Sequence, residues 1–257
     1  EARKVYADGQ AMLKKIIEGR WLQANGVIGL FPANRVGDDI EFYTDETRTQ
    51  VLMTWYGLRQ QTEKQVDAEG RLRPSRSLAD FVAPKESGIA DYAGMFAVTA
   101  GLGAEKKEKE FLDALDDYSN ILFKGLADRL AEAFAECLHE RVRKDLWGYG
   151  ADEGLSNEDL IKEKYQGIRP APGYPACPDH TAKIALFDTL QAREIGMDLT
   201  ESMAMFPASS VSGFYLAHPQ ATYFVVGQIG DDQVQDMAAR RGMDVEELRR
   251  RLAPNLG

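Results

Sequence analysis

Between Lys106 and Trp147, apolar residues return every three or four positions, from Phe111 and Leu115 through Leu122, Leu126, Leu130 and Phe134 to Leu146. This is the longest helical pattern in the chain, and it predicts a long central helix with these residues on its buried face. Gly125 falls inside it, where glycine costs about 1 kcal/mol relative to alanine, so a kink or division is expected there. Strand-like runs cluster before and after this helix rather than alternating with helices one for one. That arrangement predicts an α+β fold with a mainly antiparallel sheet and argues against a doubly wound parallel one.

The flanking elements read as follows. Residues 1–18 are helical by the spacing of Val5, Met12, Leu13, Ile16 and Ile17, with Gly19 as the stop. "VIGLFPANRVGDDIEFY" (27–43) predicts two strands joined around Gly37-Asp38-Asp39. "VLMTWY" (51–56) and "DYAGMFAVTA" (91–100) read as buried strands, and 62–77 as an exposed polar loop. Ser156 to Asp159 has the form of a capping box opening a short helix. Asp179 to Ile195 reads as a helix ended by Gly196. Strands are expected over 199–207, 210–218 and 222–229, and helices over 231–241 and 244–252. The basic cluster Arg141, Arg143, Lys144 reads as the solvated end of the long helix.

With 257 residues, 44% of them hydrophobic, the chain can bury a sizeable core. Its net charge of −10 would repel phosphate backbones, so no nucleic-acid partner is expected. No apolar run approaches the roughly 20 residues that span a bilayer, so no membrane partner is expected either. The two cysteines, Cys137 and Cys177, form no disulfide framework and point to a cytoplasmic setting. Cys177 and His180 have a ligand-like spacing, but no second pair completes a metal site.

"FAVTAGLGAEKK" (96–107) imitates the start of a dinucleotide-binding site. The third glycine of that fingerprint falls on Lys106, and no second strand ends in an acidic residue where one is required. The stretch reads as a strand-to-helix turn that uses glycine for its positive φ.

The more informative stretch is "RPAPGYPACPDHT" (169–181), with four of the ten prolines of the chain between 170 and 178. Residues that precede proline are pushed toward extended geometry, so Ala171 and Tyr174 are expected to leave backbone polar groups free for a ligand. Gly173 permits close approach. Arg169 can grip a carboxylate with two parallel hydrogen bonds. The helix expected directly after Pro178 adds a positive dipole end. These features suit a small ligand with an acid group and a flat ring. A rigid interdomain strap is equally compatible with the local physics.

The same stretch resembles the signature of the C-terminal activation domain of cobalamin-dependent methionine synthase, whose Arg-x-x-x-Gly-Tyr-Pro pattern binds S-adenosylmethionine. The resemblance extends through "GVIGLFPANRVGDDIEFY" (26–43), "LADFVAPKESG" (78–88), "LADRLAEAFAECLHERVRKDLWGY" (126–149), "LSNEDLIKEKYQGIRPAPGYPACP" (155–178), "SVSGFY" and the closing "LAPNLG". It implies a C-shaped α+β activation domain over 1–257, N-terminally incomplete and part of a larger modular enzyme. By the same resemblance, the parent is a methyltransferase that makes methionine, which this chain alone is not expected to do. The domain would present S-adenosylmethionine to a cobalamin-binding domain of the parent chain, where an electron from flavodoxin or a related reductase drives reductive methylation.

Residue by residue, the resemblance assigns the methionyl carboxylate to Arg169. It places Ala171, Gly173 and Tyr174 along the ligand, Tyr223 and Phe224 as a second contacting pair, and Glu132 toward the cationic end of the ligand. The family's upstream segment, with a ligand-contacting aspartate, has no counterpart before Glu1, which implies weakened binding. A self-sufficient S-adenosylmethionine-dependent methyltransferase is the alternative, and a docking module without ligand a third. For electron-donor docking, Arg141, Arg143 and Lys144 form one candidate basic patch, and Arg240, Arg241 and Arg249–Arg251 another.

Overall fold

The structure is a computed structural model that describes residues 1–62, 66 and 68–257. The loop expected over 62–77 lies partly outside the described residues. In chain order come α1 (Ala2–Gly19), β1 (Gln23–Val36), β2 (Asp39–Tyr43), β3 (Val51–Trp55), β4 (Asp91–Leu102), α2 (Ala104–Asp113) and α3 (Asp117–Arg141). After these follow α4 (Asn157–Ile161), α5 (Ala182–Leu190), β5 (Asp198–Leu199), β6 (Met205–Phe206), β7 (Ser210–Tyr215), α6 (Asp231–Arg241) and α7 (Val245–Leu252). Five strands form one sheet in the order β3-β2-β1-β4-β7, and β5 pairs with β6 in a separate antiparallel ribbon. The pairings of β2 with β1 and with β3 are antiparallel, with Ala33 opposite Phe42 and Ile40 opposite Trp55. The α+β class expected from the element order is the observed one.

The long helical pattern divides, but not at Gly125. The break is at Ala114–Asp116, where Leu115 takes a left-handed backbone (φ 55°) and Asp116 caps α3 by accepting the Ser119 N–H at 3.0 Å. Gly125 stays helical and faces open space. The buried face also differs from the expected one. It is Asn120, Phe123, Ala127, Ala131, Ala135 and His139, while Ile121 is 71% and Leu115 89% exposed. A helix that packs closely needs small residues at the line of contact, and apolar periodicity weighted by size overlooks alanine. The expected solvated basic end is corrected too: Arg143 is fully buried in the π-helical turn Val142–Leu146.

Three further expectations change. In β3, Met53 and Trp55 are buried and Val51 and Leu52 exposed, as on a sheet edge. The run 199–207 gives only the two-residue strands β5 and β6 around a turn. Residues 221–227 have no regular structure, and the Val226 N–H bonds the Pro175 carbonyl instead of a strand partner.

The chain folds into two compact units. The first comprises Glu1–Ile28, Phe96–Asp152 and Leu190–Ser212. Its core sets Met12 and Ile16 of α1 against Ala104 and Phe123, with Trp21 edge to face to Phe111 and Phe123 at 6.3 Å and those two rings tilted at 5.9 Å. Gly26 of β1 lets the Phe134 ring of α3 approach, since a Cβ there would lie 3.0 Å from it. The second unit comprises Gly29–Met95, Glu153–Thr189 and Gly213–Gly257. It holds an aromatic cluster of Phe31, Phe42, Trp55 and Phe214, and a second core of Leu58, Val226, Ile229, Val234, Met237, Leu248 and Leu252.

Candidate functional site

The proline segment lies in the second unit and enters beside the end of β7. Ile168 and Leu216 exchange backbone hydrogen bonds at 2.9 and 3.0 Å, and the Phe214 N–H donates to the Pro170 carbonyl at 2.9 Å. Two tight turns follow. The Tyr174 N–H donates to the Ala171 carbonyl at 3.2 Å, and the Cys177 N–H to the Tyr174 carbonyl at 2.8 Å. Each turn has proline at its second position, Pro172 and Pro175, and Gly173 (φ 96°) supplies the positive φ that the first requires. The Gly173 N–H closes the pair on the Cys177 carbonyl at 2.7 Å. The segment is therefore not the extended chain expected from its prolines. Turn chemistry outweighs the extended bias, and the polar groups of Tyr174 expected to be free are used internally. The Ala171 N–H donates to no group among the described residues.

Arg169 is half-buried and held by two phenols among its contacts: its backbone N–H donates to Tyr223 Oη at 3.0 Å, and its Nη1 to Tyr165 Oη at 2.8 Å. The fork is thus pre-oriented by a phenol that is itself buried. Tyr174 is 60% and Tyr223 38% exposed. Phe224 is half-buried and packs against the Val226–Leu252 core. The Val226 N–H bonds the Pro175 carbonyl at 2.9 Å, and Ile229 exchanges bonds with Asn255 and Gly257, so the 222–229 stretch is tied to its neighbours without being a strand. A groove of about 350 Å³ runs between Gly173, Tyr174 and Pro175, the stretch Val225–Gln228, and Pro254–Leu256.

Beneath the turns, Cys177 is fully buried, and burial pushes its thiol up to about 12 against the opposing hydrogen bond from Trp55. Buried Asp179 accepts the Thr181 N–H at 2.9 Å and is paired with Arg241, which also donates to Thr181 Oγ1 at 3.0 Å and lies over the Tyr56 ring. That local turn delays α5 to Ala182, so no helix begins directly after Pro178.

The structure thus brings Arg169, Ala171, Gly173, Tyr174, Tyr223 and Phe224 into one unit. Glu132 is half-buried on α3, in the first unit. Sequence reasoning missed Tyr165, Arg241 and the His180 ring against Gly173. Nothing in their local spacing signals these contacts. Both proposed basic patches are also depleted. Arg143 is buried, Lys144 pairs with Glu140, Arg240 with Asp39 and Asp236, Arg241 with Asp179, Arg249 with Asp231, and Arg251 with Glu247.

A mainly antiparallel sheet with helices, carrying an anchored arginine before a double proline turn, defines an α+β domain distinct from a dinucleotide fold. Residues 1–242 match the family model described as vitamin B12 dependent methionine synthase, activation domain. The chain belongs to that family. A solved structure described as "Crystal Structure of the MetH Reactivation Domain bound to AdoHcy" is 57% identical, with a TM-score of 0.93, over 100% of this chain and 78% of that one. These likenesses support the activation-domain reading over a self-sufficient methyltransferase. No helix among the described residues is long and apolar enough to cross a membrane.

Proposed function

We propose that this domain binds S-adenosylmethionine at the double turn and supplies its methyl group to a cobalamin held by a partner domain of the parent enzyme. The observation that carries the reading is the S-adenosylhomocysteine bound to the similar solved domain. That compound is what remains of S-adenosylmethionine when the methyl group leaves and the bonding electron pair stays on sulfur. Arg169, steered by Tyr165, would fork onto the methionyl carboxylate. The Ala171 N–H and the Gly173 backbone would line the ligand. The exposed faces of Tyr174 and Tyr223 suit the sulfonium, each worth about 0.5–2 kcal/mol. Phe224 would back Tyr223, and Glu132 would meet the cationic end of the ligand.

One electron and this methyl group together restore methylcobalamin from the oxidised cob(II)alamin. A flavodoxin or related reductase in the cytoplasm is the proposed electron donor. Exposed Arg141 and Arg250 are the members of the two basic clusters best placed to meet it. Unchanged reactivation kinetics on reversing both charges would exclude them. Reactivation on this reading needs the cobalamin-binding domain of the parent enzyme, and the chain by itself is not proposed to make methionine from methyltetrahydrofolate and homocysteine.

Calorimetric titration of S-adenosylmethionine into this chain and into Arg169→Ala tests the site. Loss of a charge-assisted clamp should weaken binding by about 10- to 100-fold. Equal binding by both chains would move the carboxylate site elsewhere.

A further inference from the structure

His180 follows the double turn and points back onto it. A Cβ placed on Gly173 would stand 2.1 Å from His180 Cε1, 2.6 Å from Nδ1 and 2.8 Å from Nε2. The edge of the imidazole therefore fills the space that a side chain at position 173 would occupy. The ring hangs from fixed backbone, because Asp179 and Thr181 on either side of it are held by Arg241. The His180 carbonyl also accepts the Lys183 N–H at 3.2 Å, at the start of α5. Gly173 is the pivot of the first turn, which carries the Tyr174 ring and the Ala171 N–H, a donor with no acceptor among the described residues.

We propose that His180 is a positioning residue of the ligand site: its imidazole braces the Cα face of Gly173 and holds the Ala171–Tyr174 turn in its receptive shape. On this view Gly173 is glycine for the ring as well as for its φ. The inference rests on the reading of the turn as the S-adenosylmethionine site. The charged groups beside the ring fit a neutral brace. His180 is exposed as a residue, yet partial desolvation and then the Lys183 ammonium lower the imidazole pKa from its ordinary value, and Asp179, already paired with Arg241, opposes them. Lys183 is itself buried, and its pKa is lowered by desolvation.

The test uses His180→Ala, His180→Gln, Gly173→Ala and the double variant His180→Ala/Gly173→Ala in this chain, with thermal unfolding to confirm folding. Amide hydrogen exchange at Gly173 and Cys177 reads the turn without ligand, and calorimetry with S-adenosylmethionine reads the site. His180→Ala should speed exchange at both amides about tenfold, since the brace against local opening is gone. It should weaken binding about five- to tenfold through lost preorganisation. His180→Gln, whose planar amide can reach the same space, should restore both readouts to within about threefold of the wild type. Gly173→Ala should do less harm when combined with His180→Ala than alone, because no ring then blocks the methyl group. Unchanged exchange in His180→Ala, no rescue by His180→Gln, or strict additivity of the two alanine changes would each overturn the proposal. If the wild-type chain takes up no ligand while exchange responds as stated, the ligand reading fails and the brace stands. If Arg169→Ala abolishes binding and His180→Ala changes nothing, the brace fails and the ligand reading stands.

Discussion

Tyr223 Oη accepts the backbone N–H of Arg169 at 3.0 Å, joining residues 54 positions apart. The bond ties the head of the proline segment to the exposed ring of the second proposed contact pair. Tyr223→Phe keeps the ring and removes the acceptor. It should cost about 0.5–1.5 kcal/mol of stability and weaken S-adenosylmethionine binding several-fold. Urea unfolding and calorimetry read the two effects separately. Unaltered affinity would show that the bond to Tyr223 does not help to orient Arg169.

Arg241 anchors the other end of the segment through Asp179 and Thr181, and its side chain is 13% and that of Asp179 7% exposed. Arg241→Met leaves a buried carboxylate without its cation, at a cost of about 3–5 kcal/mol in urea unfolding. Arg241→Lys should fall between, since an ammonium has no planar fork for Asp179 and Thr181 together. A loss below about 1 kcal/mol for Arg241→Met would mean that water solvates Asp179 in place of the guanidinium.

The two cysteines should differ sharply toward a thiol reagent. Cys137 is exposed, and Cys177 is buried with its thiol raised to about 12. At pH 8 the Cys177 thiolate fraction is on the order of one in ten thousand. Mass spectrometry should find one rapid modification in the native chain, at Cys137, and a second only in denaturant. Rapid native labelling of Cys177 would show that the double turn opens readily.

On α3, Ala131→Leu should destabilise by about 1–3 kcal/mol, because the added atoms meet packed neighbours on the buried face. Ile121→Ala, at a position 71% exposed, should stay within about 0.5 kcal/mol. Thermal unfolding of both variants decides it. The reverse order would restore the face that apolar periodicity suggested.

The α3 seam and the double turn show the same limit on reading a chain. Periodicity located the helix but selected its large residues, and the contact line turned out to be alanines that admit the partner surface. The prolines marked an irregular segment at 169–178. The bias of each residue before proline spoke for extension, and the hydrogen bonds of Tyr174 and Cys177, with proline second in each turn, decided for turns.

The α+β class, the first hairpin, the capping box at Ser156 and the place of the irregular proline segment were set by the sequence itself. These depend on local spacing, on proline and glycine backbone preferences, and on caps within a few residues. The tertiary structure alone decided that Arg169 is held by Tyr165 and Tyr223, that Asp179 is paired with Arg241 across 62 residues, and that His180 fills the face of Gly173. Such contacts join side chains whose sequence separation carries no period. Their energy comes from burial and desolvation, which exist only after the chain has closed around them.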